Sequence, residues 1–278
     1  MSSLLAIVRR LATAPGFRRL TTLEPLLRLS FALRASLVRS PLRFALNELR
    51  PGRRTGVYEL RKGGVRVALR HGTPDVLVLD EIFSQREYEP PPPVQRLLHE
   101  LDSLKVADVG ANIGLFGAFI SMRHPATKIV AIEADPSNAA VHERTIAAND
   151  RTATWELVVA FAAPAPGTTA FQAGGFALSR VGGDGTEVRA VDVFPYLREA
   201  DLVKMDIEGA EWPIVADPRF AELRAPIIVL EFHREGCPHG DPAAAAEAAL
   251  RGAGYRTAVS GSKPAYGAGI VWGWRDET

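Results

Sequence analysis

With one cysteine, Cys237, in 278 residues, the chain can form no intrachain disulfide and no zinc site built from several thiolates. It lacks any apolar run near the roughly 20 residues that a membrane-spanning helix needs, so it does not read as a spanning protein. It has almost no net charge: 33 Lys and Arg stand against 32 Asp and Glu, which excludes a polybasic nucleic-acid binder on bulk charge. Acids are nearly missing from one region. Residues 1–54 hold eleven arginines but only Glu24 and Glu48, a formal +9, leaving 22 Lys and Arg against 30 Asp and Glu, or −8, for the rest. What is present in bulk is ordinary. A chain 47% hydrophobic and 23% charged is in the globular range and long enough to bury a sizeable core.

Residues 1–54, with leucines and arginines mixed throughout, read as a basic helical arm. The first expectation is that the arm packs on its own domain or on a protein partner. Peripheral contact with a membrane surface and an organelle-targeting peptide are the alternatives. Arginines interrupt every apolar stretch, so no secretory signal is read and the expected location is cytoplasmic. Residues 55–93 read as a hairpin and a connecting segment. Strands at 57–60 and 65–69 flank Gly63-Gly64, a dipeptide suited to a two-residue primed turn. Residues 76–79 read as a further strand, and Pro90 to Pro93 as a stiff extended spacer.

Residues 94–278 alternate helix and strand. Helical spacing runs through 94–104, 115–123, 136–149, 210–216 and 242–252; strands are expected at 105–109, 128–133, 154–159, 202–206 and 227–232. A closing pair at 255–259 and 269–274 has no helix between its members. The expected class is α/β: a mostly parallel sheet with helices on both faces and an antiparallel pair at one edge. The glycine-rich stretch 174–185 with Phe176 reads either as a substrate-side lid or as an ordinary loop.

The expected central strands are apolar until their carboxyl ends, where Asp108, Glu133, Asp206 and Glu231 appear, with His233 just beyond. Buried charges are costly unless paired or solvated, and ligands of open α/β sheets bind at that edge. The first turn, Asp108-Val109-Gly110-Ala111-Asn112-Ile113-Gly114, departs from the dinucleotide spacing G-x-G-x-x-G, because Asn112 takes the place of the second glycine. Asp108 would repel a pyrophosphate but suits a cationic ligand. S-adenosylmethionine, with an ammonium, a sulfonium and no phosphate, fits. Glu133 lies 23 residues beyond Gly110, near the spacing at which an acid meets ribose hydroxyls.

The pieces DVGANIG (108–114), IEADPSN (132–138), KMDIEGAE (204–211) and IIVLEFH (227–233), with EIFSQREYEP (81–90) upstream, resemble the FkbM-like S-adenosylmethionine-dependent methyltransferases. The resemblance covers roughly residues 57–275 and leaves the basic arm outside. It implies the Rossmann-like class I methyltransferase sheet of seven strands with the last antiparallel. The implied activity is methylation of a hydroxyl oxygen on a sugar, glycan or secondary metabolite. Ala134 departs from the proline common in relatives. By this analogy Asp108, Gly110, Asn112 and Gly114 hold the methionine end of the cofactor and Glu133 the ribose. Asp135 shapes the adenosine pocket or, as the favoured reading, caps the helix that Pro136 opens.

An alcohol is a weak nucleophile, so a base is expected to assist. Asp206 and Glu208 are the first candidates; with Lys204 they would share a face if the chain stayed extended. His233 is a further candidate base, and Glu211 reads as structural, at the start of a helix. Acids from two strands with His233 would in principle hold a divalent cation, but no metal is expected. The partners expected are a small hydroxylated acceptor and no nucleic acid, since the Asn/Asp-Pro-Pro-aromatic segment of nucleic-acid methyltransferases is absent after the fourth strand. The competing functions are a nicotinamide-dependent oxidoreductase and a non-catalytic module of methyltransferase fold. Nothing in the sequence sets the oligomeric state.

Overall fold

Strands covered on both faces need unbroken apolar runs, and four such runs become neighbours in the central sheet. The computed structural model describes residues 34–50, 52–172, 180–181, 186–263 and 267–275. The stretch 174–179 with Phe176, residues 182–185, and residues 1–33 of the arm lie outside the described residues.

Helix α1 (Pro41–Leu49) precedes an antiparallel pair, β1 (Arg54–Glu59) and β2 (Arg66–His71). Helices α2 (Asp75–Phe83) and α3 (Pro92–Glu100) lead into β3 (Leu104–Val109), α4 (Leu115–Arg123), β4 (Thr127–Glu133), α5 (Pro136–Ala148) and β5 (Trp155–Val159). A four-stranded sheet follows, formed by β6 (Phe161–Ala163), β7 (Gly167–Gln172), β8 (Arg180–Val181) and β9 (Thr186–Asp192). Helix α6 (Phe194–Arg198) returns the chain to β10 (Leu202–Met205). The remainder is α7 (Glu211–Val215), α8 (Pro218–Ala221), β11 (Ile227–Phe232), α9 (Pro242–Gly252), β12 (Arg256–Lys263) and β13 (Ala268–Trp274).

The seven-stranded sheet has the order β12-β13-β11-β10-β3-β4-β5. Strand β13 is antiparallel to both its neighbours, while the other pairings are parallel. This is the α/β sheet that the resemblance implies, closing antiparallel pair included. Alternation along each strand builds a core on each face. Val106, Ile129, Leu202 and Val229 join α4 and α5 on one side, and Ala107, Ile132, Val203 and Leu230 join α6, α7 and α9 on the other. The direction of winding reverses between β3 and β10, which places a crevice at their carboxyl ends. Among the described residues no helix is long and apolar enough to cross a membrane.

Three local expectations need correction. Residues 76–79, expected as a strand, lie in α2. A four-residue apolar run has no period of its own, and a helix buries Val76, Leu79 and Ile82 together while Asp75 in the first turn is held by Arg70. The helix expected over 94–104 stops at Glu100, because Leu101 turns extended and Leu104 already pairs with Thr127. Its first turn takes in Pro92 and Pro93, where a fixed φ suits a helix start. The hairpin turn spans four residues rather than two: the Leu60 N–H donates to the Val65 carbonyl at 2.8 Å, and Gly63 and Gly64 are both left-handed. Gly63 also sits where a Cβ would lie 1.9 Å from Met122 Cγ.

The hairpin is stitched to the C-terminal end of α5 by side chains that imitate backbone. Asn149 accepts from the Arg66 N–H at 2.8 Å and donates to the Arg66 carbonyl at 2.7 Å, and Thr145 Oγ1 accepts from the Ala68 N–H.

Candidate active site

The turn after β3 requires left-handed backbone at three positions, Gly110 (φ 76°), Asn112 (φ 48°) and Gly114 (φ 85°). Asparagine is among the few side chains that accept this region. A Cβ on Gly110 would lie 1.8 Å from the Asp206 carbonyl oxygen, and one on Gly114 would lie 2.5 Å from the His142 ring. The two glycines therefore serve close approach within the protein as well as turning the chain. The Asn112 N–H donates to Glu133 Oε2 at 2.7 Å, while Glu133 Oε1 accepts from the Asp135 N–H at 2.9 Å and from Asn138 at 3.3 Å. Burial pushes the Glu133 carboxyl above its ordinary range against the pull of these three bonds. Asp135 caps α5, its carboxylate accepting from the Ser137 N–H at 2.7 Å.

Asp108 is fully buried and faces inward. The cation it meets is the chain's own: Lys204 Nζ lies 3.3 Å from Asp108 Oδ1 and 3.5 Å from Asp206 Oδ2, and donates to the Gly110 carbonyl at 2.7 Å. Among the described residues no donor meets either Asp108 oxygen with good hydrogen-bond geometry, so the pairing is ionic. Burial opposes the charge on Lys204, but Asp108, Asp206 and Glu231 outweigh it and hold its pKa above the ordinary lysine value.

At the end of β10 the chain leaves the extended conformation. The strand stops at Met205, Glu208 takes a left-handed φ of 54° and Gly209 one of 98°. Glu208 thus reaches Asp206 through a turn and not through strand parity, which corrects the shared-face expectation. His233, just past β11, closes the group: its Nε2 is 3.4 Å from Glu208 Oε2 and 4.0 Å from Asp206 Oδ1. Glu211 fixes the ring from the other side, with Oε1 3.2 Å from Nδ1 and accepting from the His233 N–H at 2.7 Å. Burial works against protonation of His233, but the Glu211 bond and the charges of Asp206, Glu211 and Glu208 prevail and raise its pKa to about 9. The imidazole is therefore cationic at neutral pH. The carboxylates remain open to solvent, with side-chain exposures of 25% for Asp206 and 37% for Glu208.

Tyr88 is the residue that sequence reasoning missed. Its buried hydroxyl donates to Glu231 Oε2 at 2.8 Å and lies 3.2 Å from Asp206 Oδ2. Burial, then the charges of Asp206, Glu231 and Glu87, push its phenol well above the ordinary value, so it stays a donor. Its ring packs edge-on against Phe116 of α4, with the ring centroids 5.2 Å apart. The EIFSQREYEP segment was the available signal, but neither periodicity nor spacing singles out Tyr88 within it.

The structure thus forms two foci on one rim: the turn 110–114 with Glu133, and Asp206, Glu208 and His233 with Tyr88. One ligand atom from each of Asp206, Glu208 and His233 lies within 4.8 Å of the others, a set that a divalent cation could bridge.

Residues 108–257 match the methyltransferase FkbM domain family. No curated protein matches the chain. Among solved structures it is similar to a methyltransferase FkbM from Methylobacillus flagellatus KT, with 15% identity and a TM-score of 0.48 over 62% of this chain and 44% of that one. It is also similar to TYW2 of M. jannaschii in complex with AdoMet (15% identity, TM-score 0.45, 81% and 87% covered). A third likeness is to an O-methyltransferase family protein from Burkholderia thailandensis (15% identity, TM-score 0.38, 66% and 55% covered). The chain spans less than half the length of the first of these structures.

Proposed function

The chain belongs to the FkbM methyltransferase family, and from that premise we propose that it transfers the methyl group of S-adenosylmethionine to a hydroxyl oxygen of a small acceptor, a sugar, glycan or secondary metabolite. One observation carries the reading: the left-handed turn 110–114 and the solvent-open Asp206–Glu208 pair stand at the ends of two adjacent strands where the sheet reverses its winding.

The residues suit the cofactor. Glu133 uses three of its roughly four acceptor positions on the protein and keeps one for a hydroxyl. Gly110, Asn112 and Gly114 set the left-handed turn that would hold the methionine end, and the rim beside it is rich in carboxylates, as a phosphate-free cation requires. Asp108 supports this turn from beneath through Lys204, and Asp135 contributes as the cap of α5. S-adenosylmethionine supplies a methyl group on a sulfonium, which is already a good leaving group, so alignment of the acceptor is the main task of the protein.

Asp206 and Glu208 hold the acceptor hydroxyl and take up its proton. Tyr88 and Lys204 fix Asp206 in place. His233 in its cationic form cannot accept the proton; its charge lets two carboxylates stand side by side. Calorimetry with S-adenosylmethionine and with a nicotinamide dinucleotide tests the assignment. Heat with the sulfonium nucleoside alone is expected, and heat with only the dinucleotide would install an oxidoreductase instead. Labelled-methyl transfer to hydroxylated acceptors then separates an enzyme from a non-catalytic module.

A second reading is favoured by the spacing of Asp206, Glu208 and His233. Glu211 on Nδ1 directs Nε2 into that group, as carboxylates do behind metal-ligating histidines. A divalent cation would take the place of the proton on His233 Nε2 and would polarise the acceptor hydroxyl. Manganese(II) bound in paramagnetic resonance, together with chelator-sensitive turnover, would favour it; turnover indifferent to chelation removes it.

A further inference from the structure

Five large apolar side chains are exposed among the described residues, and three of them belong to α1: Leu42 at 80%, Leu46 at 53% and Leu49 at 69%. At spacings of four and three they form one stripe on the helix. The helix cannot roll to hide them, because its other side is fastened. Phe44 is fully buried with its ring 5.1 Å from those of Tyr58 and His71. Asn47 donates to the Tyr58 hydroxyl at 2.8 Å, and Glu48 lies 2.6 Å from His71 Nδ1.

The exposed charges of residues 34–54 are of one sign. Arg43, Arg50, Arg53 and Arg54 are exposed, whereas Glu48, the one acid of residues 34–54, is turned inward with 10% of its side chain accessible. We propose that α1 docks the protein on an anionic lipid surface, its leucines entering the boundary between headgroups and acyl chains and its arginines meeting lipid phosphates. Charge decides between this occupant and the others. Residues 1–33 carry five arginines and one glutamate, so they repel the face they would have to cover. A second copy would bring the same arginines against one another. The formal −8 on residues 55–278 keeps the remainder of the molecule off an anionic surface and gives the docking one orientation.

The experiment is sedimentation of the full chain with vesicles of phosphatidylcholine alone and of phosphatidylcholine with phosphatidylglycerol, at low and high salt. Binding is expected only with the anionic lipid, and weakened by salt. The triple variant Leu42→Ser, Leu46→Ser, Leu49→Ser should partition about 100-fold less, from the loss of three apolar insertions. Arg43→Gln with Arg50→Gln should lose roughly tenfold or more, from two lipid-facing charges. The three leucines are exposed, so the melting temperature of the triple variant should change little; Arg43 lies 5.5 Å over the Tyr58 ring, so the arginine variant is read as binding per folded molecule. The proposal falls if the wild-type chain ignores anionic vesicles, or if the triple variant binds them as well as wild type, which would assign binding to residues 1–33. It falls equally if light scattering finds a wild-type dimer that the triple variant dissolves, since the face then belongs to a second copy.

Discussion

Two buried histidines sit in arrangements of the same kind with opposite consequences. His71 has Glu48 2.6 Å from Nδ1 and the Tyr58 hydroxyl 2.6 Å from Nε2, and none of its surface reaches solvent. His233 has Glu211 on Nδ1, and its Nε2 faces Asp206 and Glu208, whose carboxylates are open to solvent. The first relay spends one nitrogen on fastening α1 to the hairpin and the other on joining the two hairpin strands. The second ends in groups that a ligand can reach, at the sheet edge where α/β proteins bind their substrates. A carboxylate–imidazole pair is thus no sign of chemistry by itself; what stands at the far nitrogen decides.

The comparison breaks most sharply on turnover. Asp206→Asn and Glu208→Gln should each lower methyl transfer by roughly 10²- to 10⁴-fold, the usual span for losing a proton acceptor, with cofactor affinity in calorimetry little changed. Normal turnover in both would leave the rim without a catalytic role.

A third buried histidine sharpens it. His142 is fully buried, and among the described residues neither ring nitrogen has a well-formed hydrogen bond. Burial lowers its pKa to about 4; the Asn112 backbone lies close enough to oppose this without forming a good bond to the ring. The unfolded chain therefore binds the proton more readily than the folded one between about pH 6.5 and 4, and stability falls as pH drops through that window. His142→Gln should remove this part of the acid sensitivity, a difference on the order of 3 kcal/mol at the acid end, read from denaturant melts at stepped pH.

The smallest effect belongs to the closed relay. Glu48→Gln should cost about 1.5–3 kcal/mol of stability, the range for a hydrogen bond to a charged group, and leave turnover per folded molecule unchanged. A loss of turnover that tracks no loss of folded protein would show that the two relays are coupled.

The sheet was legible because strands buried on both faces must be apolar without interruption, as in β11, and because glycines at 110 and 114 mark a turn. The rim acids were legible by the same logic, since Asp206 and Glu208 end such a run. What the sequence concealed depends on contacts between distant segments. Tyr88 reaches Asp206 across 118 positions of chain, and Lys204 meets Asp108 only because parallel register sets those residues side by side. The four-residue apolar run in α2 carries no period of its own, so packing chose its conformation. Glu208 joins the group through a left-handed turn that parity arguments cannot foresee.

Where Gly110 meets the Asp206 carbonyl there is no room for even a methyl group. The half of the sheet that carries the turn 110–114 and the half that ends in Asp206 and Glu208 abut without padding, so a small sideways slip of β10 passes undamped into the turn. Redesign of this rim should therefore graft peripheral loops and leave this joint alone; an alanine there would displace the turn and the strand end in a single stroke.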